Sequence, residues 1–276
     1  MTITSKKLTR LIPGFPQANG LSSLWRVTQV QSLKLKEENP NSDFNRFYPT
    51  QVMETAYDIL TFWVMRMLML GLFLTDKVPF QHVYLHGLVR DEKGQKMSKS
   101  KGNVINPLDI VEKYGADALR MALVMSTTAG IDSSTGETKI RGMRNFTNKI
   151  WNATRFIVMN LEIKNQKLNI KNADEAFYKK LNEVVISVTK QLNDLKVGLA
   201  AETVYNEFWH WFCDICIEKS KTGEISQVAL TQGLKTFLCL LHPFVPFVTE
   251  EVWQKIDGQS LLITSSWPKN TTHAGV

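Results

Sequence analysis

Residues Arg90–Asn103 have the sequence RDEKGQKMSKSKGN and follow a short aromatic and β-branched stretch, HVYLHGLV (His82–Val89). This composition predicts a strand that leads into a turn and then a lysine-rich loop. Before the strand, Thr50–Leu74 has apolar residues at steps of three, four and seven and predicts a buried helix. After the loop, Pro107–Met125 predicts another helix. The order helix, strand, loop, helix is typical of the end of a parallel α/β domain.

The pattern changes after about residue 140, where strand signals disappear and amphipathic helical stretches follow one another with short connections. These stretches are Asn145–Leu161, Asp174–Leu195, Ala201–Lys219, Ile225–Leu241 and Val248–Ile256. Helices connected in this way are expected to pack as a bundle. We therefore predict an α/β plus all-α chain with three parts. Residues 1–43 form an N-terminal segment without a clear pattern, residues 44–138 form the α/β part, and residues 139–276 form a helical domain.

The composition of the 276 residues, 43% hydrophobic and 21% charged, is ordinary for a soluble globular protein. A formal net charge of +7 favours an anionic partner such as nucleic acid or a phosphate-bearing ligand. Three cysteines do not suit a disulfide framework, so a reducing compartment is expected. The apolar stretch Phe62–Leu74 contains Arg66 and is too short for a membrane span, and the basic N-terminus lacks a signal-peptide core. We therefore expect a cytoplasmic protein.

Lysines recur through the loop at positions 93, 96, 99 and 101, with small residues between them and Gly94 and Gly102 on either side. Lysine ammonium groups are compact charges suited to phosphate, and hydroxyls and free backbone N–H groups add donors. The glycines leave the backbone free to approach a ligand closely. The pattern indicates a phosphate-binding loop that stabilises negative charge developing on a phosphate chain.

A solvated basic loop is the plain alternative for a generic lysine cluster. The particular string KMSKS (Lys96–Ser100) is expected by chance in roughly one chain of this length in ten thousand, which favours a function. KMSKS is the second signature of the class I aminoacyl-tRNA synthetases, and the chain resembles the valine-specific branch of that family. The resemblance rests on FYPTQVMETAYDILTFWVMRMLMLGLFLT (Phe47–Thr75), VPFQHVYLHGLVRDEKGQKMSKSKGNVINPLDIV (Val78–Val111) and RNFTNKIWNATRF (Arg144–Phe156).

The resemblance implies the C-terminal part of a Rossmann-like catalytic domain followed by a helical anticodon-binding domain. In this family ATP and the amino acid form an aminoacyl-adenylate and pyrophosphate, and the aminoacyl group then moves to tRNA. The implied ligands are ATP with magnesium as its counter-ion, valine and tRNA-Val. Lys96 and Lys99 would carry the catalytic charge beside the triphosphate, Lys99 above all. Met97, Ser98 and Ser100 would complete the nucleotide-binding loop.

The resemblance also assigns residues outside the loop. His86 and Gly87 fall where the family passes its backbone against the adenine. Asp58 falls on a nucleotide-facing aspartate, and Trp63 falls on an aromatic wall of the amino-acid pocket. Without the resemblance, Asp58 suits a surface or capping carboxylate and Trp63 suits core packing.

The helical domain is implied to contact tRNA through its first helix, where Arg144, Lys149 and Arg155 lie beside Asn145 and Asn148. RNA there would be held mainly by phosphate contacts and by stacking on unpaired bases. A polar helix face with caps is the alternative for any one of these residues.

The sequence departs from the family in several places. The first signature, of the His-Ile-Gly-His type, does not occur, so the first half of the nucleotide fold and the inserted editing domain are expected to be missing. Gly20–Ser23 lacks the family's tryptophan before its Ser-Ser pair, and Ala56 replaces a glycine beside the nucleotide. We therefore expect a fragment that is inactive alone, with a separate chain as the possible source of the N-terminal half.

Other functions stay open on the sequence alone. The alternatives to a synthetase fragment are a non-catalytic tRNA-binding module and a gene remnant. Among enzymes, an isoleucine-specific synthetase is the alternative. Cys213, Cys216 and His210 have ligand-like spacing, but they share one periodic helix and no second cysteine pair exists. We therefore expect buried thiols and no protein-bound metal.

Overall fold

The computed structural model describes residues 41–98, 102–125, 127–163, 172–256, 258 and 260–269. Lys99 and Ser100 of the KMSKS string, and most of the predicted segment 1–43, lie outside the described residues. The chain divides into two compact units between Tyr84 and Leu85. The predicted domain bounds at 43/44 and 138/139 stay predictions.

The unit that ends at Tyr84 contains a strand where a helix was predicted. Its elements are α1 (Asp43–Phe47), β1 (Thr50–Ala56), a 3₁₀ turn (Tyr57–Ile59), a π-helical segment (Leu60–Val64) and α2 (Met65–Thr75). β1 pairs with β2 (Phe80–His86) in a two-stranded sheet. The prediction of one helix over Thr50–Leu74 is therefore wrong for its first seven residues. The β-branched residues Thr50, Val52 and Thr55 favour extended backbone there.

The unit that begins at Leu85 contains the lysine-rich loop, which follows the first of two short paired strands. β3 (Val89–Arg90) pairs in parallel with β4 (Ser133–Ser134). The predicted strand His82–Val89 is thus split into β2 and β3 at Gly87–Leu88. The predicted helix Pro107–Met125 is also two helices, α3 (Pro107–Tyr114) and α4 (Ala116–Val124). They separate at Gly115, whose φ of 90° is a conformation that favours glycine.

The helical domain follows the prediction closely. Its elements are α5 (Glu137–Ile163), α6 (Asn172–Asn193), α7 (Val197–Asn206), a π-helical segment (Glu207–Cys216), α8 (Ile217–Lys221), α9 (Gln227–Leu241), α10 (Pro246–Ile256) and a 3₁₀ turn (Leu262–Thr264). Each of the five predicted stretches is helical, and the predicted stretch Ala201–Lys219 runs through α7, the π-helical segment and α8. The α/β plus all-α class is confirmed.

Aromatic side chains fill the core of the helical domain. Phe146 of α5, Phe208 and Phe212 of the π-helical segment, and Phe237 of α9 are all fully buried. Phe208 packs edge-on against Phe237, with ring centroids 5.5 Å apart. Aromatic rings supply large buried areas and fixed geometry, so this cluster contributes substantially to the domain's stability.

Two side chains of α4 fasten the residues after the loop to the bundle. The buried Asp117 carboxylate accepts hydrogen bonds from the backbone N–H groups of Phe247 (3.2 Å) and Val248 (2.7 Å), at the start of α10. Arg120 donates to the carbonyl oxygens of Pro243 (3.0 Å) and Phe244 (3.3 Å). The segment that carries the loop is thereby attached to the helical domain.

Candidate active site

The strand before the loop is held by Asp132. The Asp132 carboxylate accepts hydrogen bonds from the Leu88 N–H (2.8 Å) and from Nε of Arg90 (2.6 Å), and it forms an ion pair with the Arg90 guanidinium at 2.5 Å. Backbone bonds from Ser133 N to Leu88 O and from Thr135 N to Arg90 O, both 3.1 Å, run beside it. The start of the loop is therefore anchored to the segment that leads into α5.

Gly87 has a packing requirement of its own. A Cβ atom at this position would lie 1.8 Å from the carbonyl oxygen of Ile131 and 2.6 Å from the nitrogen of Asp132. Only glycine allows this close approach between two backbone segments. Nδ1 of His86 lies 2.8 Å from the carbonyl oxygen of Gly87, so these two predicted residues are in contact. Their predicted role beside the adenine stays a prediction.

Asp91 organises the turn that opens the loop. Its Oδ1 accepts hydrogen bonds from the backbone N–H groups of Lys93 (3.0 Å) and Gln95 (2.7 Å). Backbone bonds from Asp91 N to Gln95 O (3.0 Å) and from Gly94 N to Asp91 O (2.9 Å) close the turn, and Gly94 has a φ of 74°. Arg90 and Lys96 then face each other in an antiparallel bridge. The chain therefore enters the KMSKS loop from a short closed hairpin.

Asn103 joins the two ends of the loop. Its side-chain oxygen accepts a hydrogen bond from the Ser98 N–H (2.9 Å), and its Nδ2 donates to Oδ2 of Asp91 (2.8 Å) and to Lys96 O (3.4 Å). The Asn103 hydrogen bond, followed by that from the Gln95 N–H, lowers the pKa of Asp91. Asp91 thus stays a carboxylate at neutral pH.

The predicted loop residues differ in exposure. Lys96 is exposed, whereas Met97 and Ser98 are half-buried against the base of the loop. The Ser98 N–H donates to the side-chain oxygen of Asn103. The structure therefore presents the charge of Lys96 to solvent on a fixed base, as a phosphate-binding group requires.

Asp58 and Trp63 lie in the unit that ends at Tyr84. Asp58 is exposed in the 3₁₀ turn, and Trp63 is half-buried in the π-helical segment that follows. Their predicted roles at the nucleotide and the amino acid stay predictions.

The helix that follows Asp58 exposes apolar side chains. Phe62 is 67% exposed and Phe73 is 60% exposed. Met65, Met69 and Leu72 are also exposed. Tyr57–Thr75 is long and apolar enough to cross a membrane, by length and composition alone. The longest apolar stretch was expected to be Phe62–Leu74 and too short for a membrane span, whereas the apolar helical segment is longer and begins at Tyr57.

The predicted RNA-binding residues of α5 lie on different sides of the helix. Arg144 and Arg155 are exposed on one face, together with Arg141 and Trp151. Lys149 instead forms an ion pair with Asp214 at 2.9 Å, and its Nζ lies 5.3 Å from the Trp209 ring centroid. All three roles stay predictions, and the structure separates Lys149 from the two arginines.

The cysteine motif is part of the core. Cys213 and Cys216 are buried, and desolvation raises the pKa of each thiol to about 12. His210 lies on the surface, 3.5 Å from the Asp214 carboxylate. Within the described ranges, no group of three His, Cys, Asp or Glu side chains is placed to hold a metal ion.

Sequence reasoning missed Asp91, Asn103 and Asp132. Asp91 had a local signal, since an aspartate three residues before a glycine is typical of a turn. Asn103 and Asp132 had none, because their partners lie 12 and 44 residues away along the chain. Two surface cavities, of about 380 and 210 Å³, open on the helical domain, and no predicted site residue lines either one.

Two regions of the chain match known families. Residues 22–135 match the family described as tRNA synthetases class I (I, L, M and V), and residues 174–274 match the anticodon-binding domain of tRNA ligase. The chain belongs to the class I tRNA synthetases. The apolar segment Tyr57–Thr75 lies inside the matched synthetase region. The KMSKS loop of this synthetase chain lies there too.

The curated relatives that the chain resembles include valine–tRNA ligases. The chain is similar to the valine–tRNA ligase of Pelagibacter ubique, with 45% identity over 81% of this chain and 28% of that protein. It is also 45% identical to the ligase of Thermotoga maritima, over 90% of this chain and 29% of that protein. This synthetase chain therefore spans less than a third of the length of the relatives it matches.

Solved structures confirm the fold. A LeuRS of Agrobacterium radiobacter K84, in a complex with tRNA and LeuAMS, matches with a TM-score of 0.68 and 24% identity, over 81% of this chain and 29% of that one. A Mycobacterium tuberculosis methionyl-tRNA synthetase with methionyl-adenylate matches with a TM-score of 0.61 and 19% identity, over 79% and 47% of the two chains.

Proposed function

We propose that the chain is the part of a valine–tRNA ligase that carries the KMSKS loop and the anticodon-binding domain. The observation that carries this proposal is the 45% identity to valine–tRNA ligases over four-fifths of the chain. The structure of this chain supports the proposal with a loop that has a hydrogen-bonded base and an exposed Lys96.

In the proposed reaction, valine and ATP form valyl-adenylate and pyrophosphate. Lys96, with Lys99, supplies positive charge to the phosphates as pyrophosphate leaves, which is where such charge lowers the barrier. Magnesium serves as the counter-ion of ATP. Asp58 contributes to the nucleotide site and Trp63 to the valine site. The proposed location of the reaction is the cytoplasm.

We also propose that the exposed face of α5 contacts tRNA-Val. Arg141, Arg144 and Arg155 are exposed along it, and no Asp or Glu occurs between Arg141 and Met159. Trp151 is 39% exposed on this face, and Nζ of Lys255 lies 5.3 Å from the centroid of its ring. A basic and aromatic helix face of this kind suits phosphate contacts and unpaired bases.

A chimera tests the catalytic proposal. Residues 22–276 would replace the matching segment of the Pelagibacter ubique ligase, and amino-acid-dependent exchange of pyrophosphate into ATP would be measured. We expect valine to be preferred over isoleucine by about 100-fold, as in discrimination between side chains that differ by one methylene. Preference for isoleucine would contradict the proposed specificity, and a folded chimera without exchange would contradict the catalytic role.

The chain alone tests the second candidate, a tRNA-binding module. We expect no pyrophosphate exchange, because the sequence holds one of the family's two ATP-contacting signatures. We expect binding of tRNA-Val that weakens steeply with salt, and the double substitution Arg144→Ala, Arg155→Ala should reduce the salt dependence by about two ion contacts. Binding unaffected by both salt and these substitutions would contradict an RNA contact on α5.

A further inference from the structure

The base of the KMSKS loop contains a closed set of side-chain hydrogen bonds that the predicted site residues do not include. The Asp91 carboxylate accepts from Lys93 N, Gln95 N and Asn103 Nδ2. The Asn103 amide accepts from Ser98 N and donates to Asp91 and to Lys96 O. We call the two side chains of Asp91 and Asn103 the loop clamp.

We propose that Asn103, acting with Asp91, is a positioning residue that fixes the Lys96–Ser98 end of the KMSKS loop for adenylate formation. The inference rests on the proposed function, because the step that it serves is the reaction of valine with ATP. The clamp touches the backbone of the loop and leaves the Lys96 side chain exposed.

The clamp pairs one amide with one carboxylate. The Asn103 amide accepts from the Ser98 N–H and donates to the Asp91 carboxylate, which neither a carboxylate nor an apolar side chain at this position could do. A carboxylate at position 103 would place two negative charges where a bond of 2.8 Å now exists, and such a pair repels. A leucine at position 103 has nearly the same size but forms neither bond.

Asp91 also connects the loop with strand β4 through its backbone. Ser134 Oγ donates to the Asp91 carbonyl oxygen at 2.5 Å, and β4 continues into the helical domain. Ser98 and Asn103 are five residues apart along the chain, and their hydrogen bond fixes the backbone next to Lys96 and Met97. Holding this backbone reduces the conformations from which Lys96 must be brought to the phosphates.

A swap of the two side chains gives a specific test. Asn103→Asp alone should break the clamp by repulsion. The double substitution Asp91→Asn, Asn103→Asp should restore it, because the amide at position 91 would donate to the carboxylate at position 103. That carboxylate would still accept from the Ser98 N–H. Asn193→Leu, at an exposed position at the end of α6, is the matched control.

The first readout is amide hydrogen exchange at Ser98 in the full 276-residue chain, which needs no activity. We expect Asn103→Leu and Asn103→Asp to speed exchange about tenfold, the swap to return it to within about threefold of the parent, and the control to leave it unchanged. The clamp would be overturned if the exchange rate at Ser98 did not change in the Asn103 variants. It would also be overturned if Ser98 exchanged as fast in the swapped protein as in Asn103→Asp alone.

The second readout is pyrophosphate exchange in the chimera. We expect Asn103→Asp to lower kcat about 10- to 100-fold, to leave the KM for valine within about twofold, and to be rescued by the swap. Restored protection at Ser98 without restored kcat would overturn the positioning role. If the parent chimera lacks exchange while the Ser98 results hold, the proposed function fails and the clamp stands.

Discussion

The two units of the chain differ in how far their described apolar side chains are buried. In the described part of the unit that ends at Tyr84, Val64 and Phe80 are the buried apolar side chains, whereas Phe62, Met69 and Phe73 are largely exposed. In the unit that begins at Leu85, the rings of Phe146, Phe208 and Phe237 lie in a closed aromatic core. An exposed apolar helix face marks an interaction surface more often than a folding core. The described part of the first unit therefore gains little stability from its own burial, whereas the second unit has a large buried core.

The strongest test of this difference is Phe208→Ala. Removal of a fully buried ring leaves a cavity in the core, so we expect a loss of about 3–5 kcal/mol in the free energy of unfolding. Urea denaturation followed by circular dichroism would measure it.

Phe73→Ala is the matched control in the other unit, because the same ring is 60% exposed there. We expect a change within about 0.5 kcal/mol, as for most exposed positions. Equal losses for the two variants would contradict the contrast between the units.

The comparison also shows what sequence patterns predict well. All five stretches that helical periodicity predicted after residue 140 are helical, because core packing and the helical period demand the same spacing. Helical periodicity failed over Thr50–Ala56, where Val52 fits both a helical step to Ile59 and an extended strand. The clamp was out of reach for another reason, since Asn103 and Asp91 come together only through the fold of the loop.

The thiols of the helical domain test its core by chemistry. Burial raises the pKa of Cys213 and Cys216 from 9.0 to about 12, so both remain protonated at pH 8 while the chain is folded. The thiolate is the reactive form, and we expect iodoacetamide to modify these two residues at least about 10³-fold more slowly in the folded chain than in urea. Peptide mass spectrometry would give the rates. Similar rates in both states would show that the core opens readily.

Asp117→Ala should have a smaller effect at the junction of α4 and α10. The substitution leaves the N–H groups of Phe247 and Val248 without their carboxylate, and we expect a loss of about 2 kcal/mol in urea denaturation. Burial raises the pKa of Asp117, which limits what the charged form contributes. Glu112→Ala, an exposed carboxylate on α3, should change the free energy by less than about 0.5 kcal/mol. A loss no larger for Asp117 than for Glu112 would mean that this junction does not hold the domain together.

The most direct measurement compares Lys96→Ala with Lys93→Ala in the chimera with the Pelagibacter ubique ligase. Both lysines are exposed and lie three residues apart, but of the two only Lys96 belongs to the KMSKS string itself (Lys96–Ser100). Because Lys96 is proposed to meet the phosphates of ATP, its loss should lower valine-dependent pyrophosphate exchange by about 100-fold or more, while loss of Lys93 should change it by less than about threefold. Equal effects of the two substitutions, or no effect of Lys96→Ala, would contradict the assignment of the loop to ATP.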